Sequence, residues 1–170
     1  MIRTSKAQLE PAEPSALQQQ SGWIGGATYD DRHAYVLDVT SGATLLSIPF
    51  GHSVDALTMV LGEFREVSAL VENLRPEVTH VTSGAVTAKS AEDQIAVTGV
   101  LESGAVAAMH IRGGTSRATA FHWEINGTEG DLVVKADQAQ WWYGGCGCTA
   151  PGARTAPWPN FRFPPAISGR

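Results

Sequence analysis

A histidine and a carboxylate lie three residues apart in the segment IPFGHSVDAL, at His52 and Asp55. An imidazole titrates near neutral pH, so His52 could hold a substrate hydroxyl or relay a proton. Residues three apart lie on the same side of a helix, so Asp55 could orient the ring or favour the helix N-terminus by its charge. Such a pair is also common by chance, and the spacing alone leaves a structural interpretation open.

The remaining histidines have simpler explanations. His110 ends a predicted strand and is interpreted as a structural or solvated group that could border a cleft. His122, with Glu124, should lie on an exposed or interface face of a sheet. His33 and His80 are predicted to lie in loops without partners.

The two cysteines, Cys146 and Cys148, stand in the segment GGCGCTA. A structural zinc site usually has four ligands, and no Cys/His group at finger spacing completes this pair. We therefore interpret them as free thiols in a loop and predict no metal site.

The elements that must position His52 are predicted from hydrophobic periodicity. The run ATLLSI predicts a buried strand or an extended lead-in, and a strand is also considered at Ala34–Leu37. A helix follows, with Pro49 at an early position and Gly62 just past its end. Two strand pairs come next, one around Glu102–Gly104 and one around the segment NGTEG.

This order of elements predicts an α+β fold, an open antiparallel β-sheet with helices packed on one face. Alternation places Phe121, Trp123 and Ile125 on one face of their strand and the polar residues between them on the other. The chain is divided into a leader or linker at 1–22, the α+β domain at 23–140 and a Gly/Pro-rich, irregular tail at 141–170.

Composition excludes several classes of protein. The chain has 170 residues and a formal net charge of −5, without a long basic run, which argues against nucleic-acid contact. No apolar run approaches the roughly 18 residues of a membrane span, and the first residues lack the apolar core of a secretory signal. A cytoplasmic protein is expected, with the nucleus as an alternative.

Three segments in order, GATLLSIPFGHSVDAL with LGEF, LESGAVAAMHIRGG and WEINGTEGDLVV, carry a family resemblance. Over roughly residues 35–137 the sequence resembles the C-terminal domain of the Gfo/Idh/MocA (glucose–fructose oxidoreductase and inositol dehydrogenase) family. It is most similar to the fungal galactose-regulon repressor-like branch, whose members keep IPFGH. The resemblance implies an open antiparallel sheet with helices on one face. No Rossmann domain is expected in this chain, because the glycine-rich fingerprint is missing from its sequence.

In that family an N-terminal Rossmann domain binds NAD(P), and the C-terminal domain shapes the substrate pocket and often forms a dimer through its bare sheet face. The resemblance therefore implies NAD(P) for a full-length relative, and a cleft-lining role for His52 and Asp55. This sequence departs from the pattern, since it has no G-x-G-x-x-G after a strand and no Glu-Lys-Pro. Ile48 and Phe50 stand where Asp and Gly are usual in the family, a change shared with the repressor-like branch.

The resemblance supports two functions. The first is the substrate-side and dimerisation half of an NAD(P)-dependent sugar or polyol oxidoreductase-like protein, without catalysis alone and without a cofactor site in this chain. The alternative is a regulatory or interaction module that dimerises through its sheet. The implied partners are a second copy of the chain and a Rossmann domain, either as a separate partner or as a missing N-terminal half.

Overall fold

In the part of the chain that the structure describes, two β-sheets and one α-helix are joined by short 3-10 and π-helical segments. The computed structural model describes residues 15–20, 24–115, 117, 120–128, 130–137 and 147–149. The helix α1 spans Gly51–Leu61. The strands, in chain order, are β1 (Ser15–Gln20), β2 (Thr28–Tyr29), β3 (Phe64–Glu72), β4 (Glu77–His80), β5 (Val86–Ala88), β6 (Gln94–Leu101), β7 (Val106–Arg112), β8 (Phe121–Gly127), β9 (Gly130–Ala136) and β10 (Gly147–Thr149).

The larger sheet has seven strands in the order β10-β9-β8-β1-β7-β6-β3, and the smaller has three in the order β2-β4-β5. All neighbours in the larger sheet are antiparallel except β1 and β7, which run parallel because β1 inserts between β7 and β8. The α+β prediction is confirmed, with this one parallel pair in an otherwise antiparallel sheet.

Two predicted boundaries change. Residues 15–20 were assigned to a leader, but they form β1 at the centre of the sheet, so the domain begins before residue 23. Residues 147–149 were assigned to the irregular tail, but they pair with β9 as the edge strand β10. The rest of the predicted tail lies outside the described residues, as does Cys146.

Side-chain alternation divides the larger sheet into a buried inner face and an outer face. On β7, Ala107, Met109 and Ile111 are buried, whereas Val106, Ala108 and His110 are exposed. The strand β8 repeats the pattern, as predicted, with its three apolar side chains inward. The inner face therefore carries most of the core, and the outer face remains accessible.

The helix α1 covers the inner face. Its buried residues Leu57 and Leu61 join a core with members from β1, β6, β7, β8 and β9. Gly62, in a positive-φ conformation (φ 92°), ends the helix, as the sequence predicted. Burying about 25 cal/mol per Å² of apolar area stabilises this arrangement.

The segment before α1 is helical, which corrects the predicted strand or extended lead-in. Leu46–Phe50 form a π-helical turn that continues directly into α1. Thr44 and Ser47 form a reciprocal cap, since Thr44 N donates to Ser47 Oγ (2.9 Å) and Ser47 N to Thr44 Oγ1 (3.4 Å). The predicted burial holds for Leu45, which is fully buried, but Leu46 is 42% exposed. The paired hydrogen bonds of Thr44 and Ser47 favour a helical start here over an extended strand.

The considered strand at Ala34–Leu37 is also wrong. Asp31–Leu37 form a 3-10 helix, and the side chain of Asp30 accepts from His33 N at 3.0 Å. An aspartate that satisfies a free N–H at a helix start favours helical geometry over a strand. No helix in the described residues is long and apolar enough to cross a membrane.

Candidate functional site

The exposed side of α1 carries both predicted site residues. His52 and Asp55 are exposed, whereas Ser53, between them, is fully buried. Met59, one turn beyond Asp55, is 76% exposed and extends the same side of the helix. The structure thus confirms that His52 is not a core residue and leaves its chemical role a prediction.

Buried polar contacts fix the turn that presents His52. The Ser53 hydroxyl contacts the Pro49 carbonyl oxygen (2.9 Å) and Gln19 Oε1 of β1. Glu92, also buried, accepts a hydrogen bond from Leu46 N at 2.7 Å. The start of the helical segment is therefore tied to the central strand and to the loop before β6.

Asp55 does not occupy the helix N-terminus. Helical backbone begins at Leu46, and the first turn of α1 contains no acidic residue. The predicted favourable charge at the helix start is therefore wrong for this residue, because the effect falls off within the first turn. The structural support for a role of Asp55 is therefore its position on the same exposed side of α1 as His52.

The outer sheet face contains two histidines in one cross-strand row. The β1 register aligns position 18 with His110 of β7 on one side and with His122 of β8 on the other. His122 Nε2 lies 3.9 Å from a carboxylate oxygen of Glu124 on the same strand. His122 and Glu124 are both partly exposed, which agrees with their predicted position on an exposed or interface face of the sheet.

The two histidines assigned to loops without partners both have partners. His33 Nδ1 lies 2.6 Å from Asp30 Oδ1. His80 ends β4, where its Nδ1 lies 2.8 Å from Ser83 Oγ and its Nε2 lies 3.3 Å from Asp31 Oδ1. The contacts with Asp30 and Ser83 are local, three residues away, whereas the His80–Asp31 contact depends on the approach of residues 28–33 to β4, which no local pattern indicates.

Sequence reasoning also missed a buried ionic group before β6. The side chain of Asp93 is 0% exposed and accepts from Lys89 Nζ (3.1 Å) and from the backbone N–H groups of Leu74 (3.2 Å) and Arg75 (2.9 Å). Lys89 Nζ also donates to Asn73 Oδ1 and to the Ala91 carbonyl. The group joins the loop after β3 to the loop before β6. The four-residue spacing of Lys89 and Asp93 could have indicated this ion pair from the sequence, but the same spacing is also frequent on exposed helices.

Asp93 and Asp30 are two of the described carboxyl groups whose pKa is lowered. For Asp93, burial opposes ionisation, but the hydrogen bond and charge of Lys89, with the N–H groups of Leu74 and Arg75, outweigh it and lower the pKa. For Asp30, desolvation likewise opposes ionisation, and the contacts with His33 outweigh it and lower the pKa. Both groups are therefore anionic at neutral pH.

The two glycine pairs in the described part of the chain do not form a dinucleotide cradle. Gly25 and Gly26 precede the two-residue strand β2, and they pack against Gly113 and Gly114 at the end of β7. A pyrophosphate cradle needs a glycine turn that opens a helix. Among the described residues, no group of three His, Cys, Asp or Glu side chains could hold a metal ion.

Comparison with known proteins identifies the family. The family model of the Gal80p C-terminal domain matches residues 14–136, which include every strand from β1 to β9 and α1. The chain belongs to the Gal80p C-terminal domain family. The family resemblance predicted from the sequence is thereby confirmed.

One curated relative is the galactose/lactose metabolism regulatory protein GAL80 of Kluyveromyces lactis, 29% identical over 126 residues, or 68% of this chain and 28% of that protein. The crystal structure of Gal80p from the same yeast has a TM-score of 0.69 and 24% identity over 78% of this chain and 35% of its own. The chain thus spans about a third of the length of the Gal80 proteins it matches.

An oxidoreductase shares the fold. The structure of an NAD binding oxidoreductase from Klebsiella pneumoniae has a TM-score of 0.61 and 18% identity over 83% of this chain and 39% of that chain. Identity at this level shows the fold alone. The Gal80p C-terminal domain and part of an NAD-binding oxidoreductase therefore share one architecture.

Proposed function

We propose that this chain is the interaction module of a Gal80-like regulator and that it self-associates through the outer face of its seven-stranded sheet. The observation that carries the proposal is the composition of that face. Its central strands present small or apolar side chains to solvent, including Ala96, Thr98, Val106 and Ala108. Val106 is 51% exposed.

The short side chains at the centre of this face favour pairing with a second copy. Cross-strand neighbours pair Thr98 with Ala108 and Ala96 with His110, so short side chains occupy the centre of the face on β6 and β7. Short side chains allow two sheets to approach face to face, at about 10 Å. A two-fold dimer covers the same patch on both copies.

Exposed apolar area on the outer face is costly, at about 25 cal/mol per Å². Exposed apolar patches beyond a few hundred Å² usually mark interaction surfaces. No described element covers the centre of this face, because α1 packs on the opposite side. Self-association removes that cost without requiring another chain.

Sedimentation of two matched variants tests the proposal. Val106→Lys places a charge at the centre of the proposed interface, and Val86→Lys places the same charge on β5 of the smaller sheet, where Val86 is 65% exposed. Wild type and Val86→Lys should sediment as dimers at micromolar concentration, and Val106→Lys as a monomer. A monomeric wild type, or a dimeric Val106→Lys, contradicts the proposed interface.

A second candidate function rests on the exposed His52 and Asp55. In this proposal the chain is the substrate-side half of a sugar or polyol oxidoreductase-like protein, and α1 borders the cleft. The exposed His52, Asp55 and Met59 support it, because they form one continuous side of α1 that can face another domain. The partner is then a Rossmann domain, separate or N-terminal, since the match covers only 28% of the GAL80 protein and 35% of the Gal80p chain.

Binding of a Rossmann-domain partner distinguishes the two candidates. The N-terminal two thirds of the Kluyveromyces lactis relative, expressed separately, provides the probe. If α1 faces that domain, Met59→Lys should weaken the association measured by calorimetry, and Val86→Lys should leave it unchanged. Equal affinities of both variants would remove the support for a cleft at α1.

A further inference from the structure

A concave site lies between the smaller sheet and the end of β7. It is a cavity of about 460 Å³. Its walls include Gly26, Tyr29, Asp30, His33, Arg75 and Gly114, and neither His52 nor Asp55 lines it. The volume falls within the range of about 300–1,000 Å³ that is usual for small-molecule sites.

Arg75 is the cationic group of this cavity, and its position is fixed at three points. Its backbone N–H donates to Asp93 Oδ2 at 2.9 Å and also to Asn73 Oδ1 at 3.1 Å. Its guanidinium donates to the Gly25 carbonyl at 3.1 Å. The side chain remains 35% exposed, so the group is held in place and is still accessible from the cavity.

Asp93 forms only a long ion pair with the guanidinium, because two cations share its carboxylate. The two groups approach only to 4.0 Å, and the Asp93 carboxylate already accepts from Lys89 Nζ at 3.1 Å. Within the described part of the chain, the guanidinium donates one hydrogen bond, and that bond goes to a neutral carbonyl. A guanidinium has five N–H donors, so most of the Arg75 donors remain available to a ligand in the cavity.

Asp30 and His33, which also line the cavity, contact each other. Asp30 Oδ1 lies 2.6 Å from His33 Nδ1 and accepts from His33 N at 3.0 Å. These contacts turn that carboxylate oxygen towards the 3-10 helix that His33 belongs to. Arg75 is therefore the charge in this cavity that has no carboxylate within hydrogen-bonding distance among the described residues.

Three glycines, Gly26, Gly113 and Gly114, form one wall of the cavity. A Cβ at Gly113 would lie 2.4 Å from the carbonyl oxygen of Gly25, and a Cβ at Gly114 would lie 3.3 Å from the Gly26 Cα. A side chain is therefore excluded at Gly113, where the wall is bare backbone. Tyr29 and Val81 add apolar surface to the other walls.

We propose that this cavity binds a small organic oxyanion, a carboxylate or a phosphate monoester, with Arg75 as its charged anchor. Arginine matches the planar geometry of such groups with paired N–H donors. The cavity volume exceeds that of a single inorganic ion, which leaves room for an organic portion against Tyr29 and Val81. The proposal is independent of the dimer and of the cleft at α1.

Two-dimensional ¹H–¹⁵N NMR of the full 170-residue chain tests the proposal. Inorganic phosphate and acetate are titrated separately at ionic strength held constant with sodium chloride. The amides of Gly26, Gly113 and Gly114 and the Arg75 Nε–H should shift saturably. A stronger response to phosphate assigns the ligand to phosphate monoesters, and a stronger response to acetate assigns it to carboxylates.

Three variants make the test specific. Arg75→Gln should weaken anion binding at least about tenfold, the scale of a charge-assisted contact. Arg65→Gln removes an exposed arginine of β3 and should bind as wild type does. Val81→Trp narrows the part of the cavity assigned to the organic portion, from an exposed position that makes no contact with Arg75. It should weaken the binding of phenyl phosphate, titrated in the same way, and this result decides the matter if Arg75→Gln does not fold. Absence of saturable shifts in the wild type, or unchanged binding of phenyl phosphate by Val81→Trp, overturns the proposal.

Discussion

At the scale of single residues, the neighbours His52 and Ser53 have opposite environments, which gives a paired prediction. His52→Ala should lower the free energy of unfolding by less than about 1 kcal/mol, because it removes an exposed side chain. Ser53→Ala should cost about 1–3 kcal/mol, because it leaves buried acceptors on Gln19 and Pro49 without their donor. Urea unfolding of both variants measures the difference. A loss of several kcal/mol in His52→Ala would instead identify a structural role.

The buried carboxylate of Asp93 predicts a pH dependence of stability. Its folded pKa is lowered from 3.8, so the unfolded chain binds the proton more readily. The stabilisation by Asp93 should therefore be complete above the unfolded pKa of about 4 and should be lost as the pH falls towards the lower folded value. Asp93→Asn should cost about 3–5 kcal/mol at neutral pH, since it leaves Lys89 buried without its counter-ion.

Urea unfolding between neutral and acidic pH checks this sign. The stability difference between wild type and Asp93→Asn should shrink as the pH falls below about 4. Asp55→Asn, which changes an exposed carboxyl group of α1, serves as the control and should alter stability little at neutral pH. A difference that grows in acid would contradict the assignment of Asp93 as the ionised partner.

At the scale of elements, the pairing of β3 with β6 depends on one glycine. The register of this pair shifts between Phe64 and Glu66, and the Phe64 ring packs over Gly99. A Cβ at Gly99 would lie 2.6 Å from the Glu66 carbonyl oxygen. Gly99→Ala should therefore destabilise the domain by about 1–3 kcal/mol, the usual cost of overpacking.

Gly51→Ala is the matched control for this substitution. Gly51 lies in α1, and a Cβ there would come no closer than 3.9 Å to the Leu46 carbonyl oxygen. Alanine favours a helix over glycine by about 1 kcal/mol, so the variant should be neutral or more stable. Thermal unfolding compares the two, and equal losses would indicate that the register shift does not constrain position 99.

The sequence predicts strands correctly where apolar side chains alternate without interruption, as in β7 and β8. The strand β1 was missed because its buried positions are Leu17 and Gln19, and a buried glutamine conceals the period. Gln19 is accepted in the core because its side-chain oxygen meets Ser53, a contact 34 residues away. The helical lead-in to α1 was missed for a similar reason, since Glu92 stabilises its first N–H from a distant loop.

At the scale of the whole molecule, the two candidate sites differ in how far the sequence could predict them. His52 and Asp55 stand in one short segment, so their spacing and the family resemblance were sufficient to select them. The cavity around Arg75 brings together residues 26–33, 75, 81 and 113–115 through the smaller sheet and the paired glycines. Only the tertiary fold makes that combination, and no segment of it contains a recognisable motif.

The 170-residue chain alone is not expected to bind NAD(P)H. A pyrophosphate needs free N–H groups at a helix N-terminus, but the helical segment before α1 donates Leu46 N to the Glu92 carboxylate and Ser47 N to Thr44. A second anion there would face Glu92.

Five tryptophans allow binding to be followed by energy transfer to NADH. Free N-acetyltryptophanamide corrects for inner-filter loss, and Arg75→Gln removes any contribution of phosphate binding at the oxyanion cavity. A saturable signal in the micromolar range that persists in Arg75→Gln would refute the prediction, since it would require a dinucleotide site elsewhere in the chain.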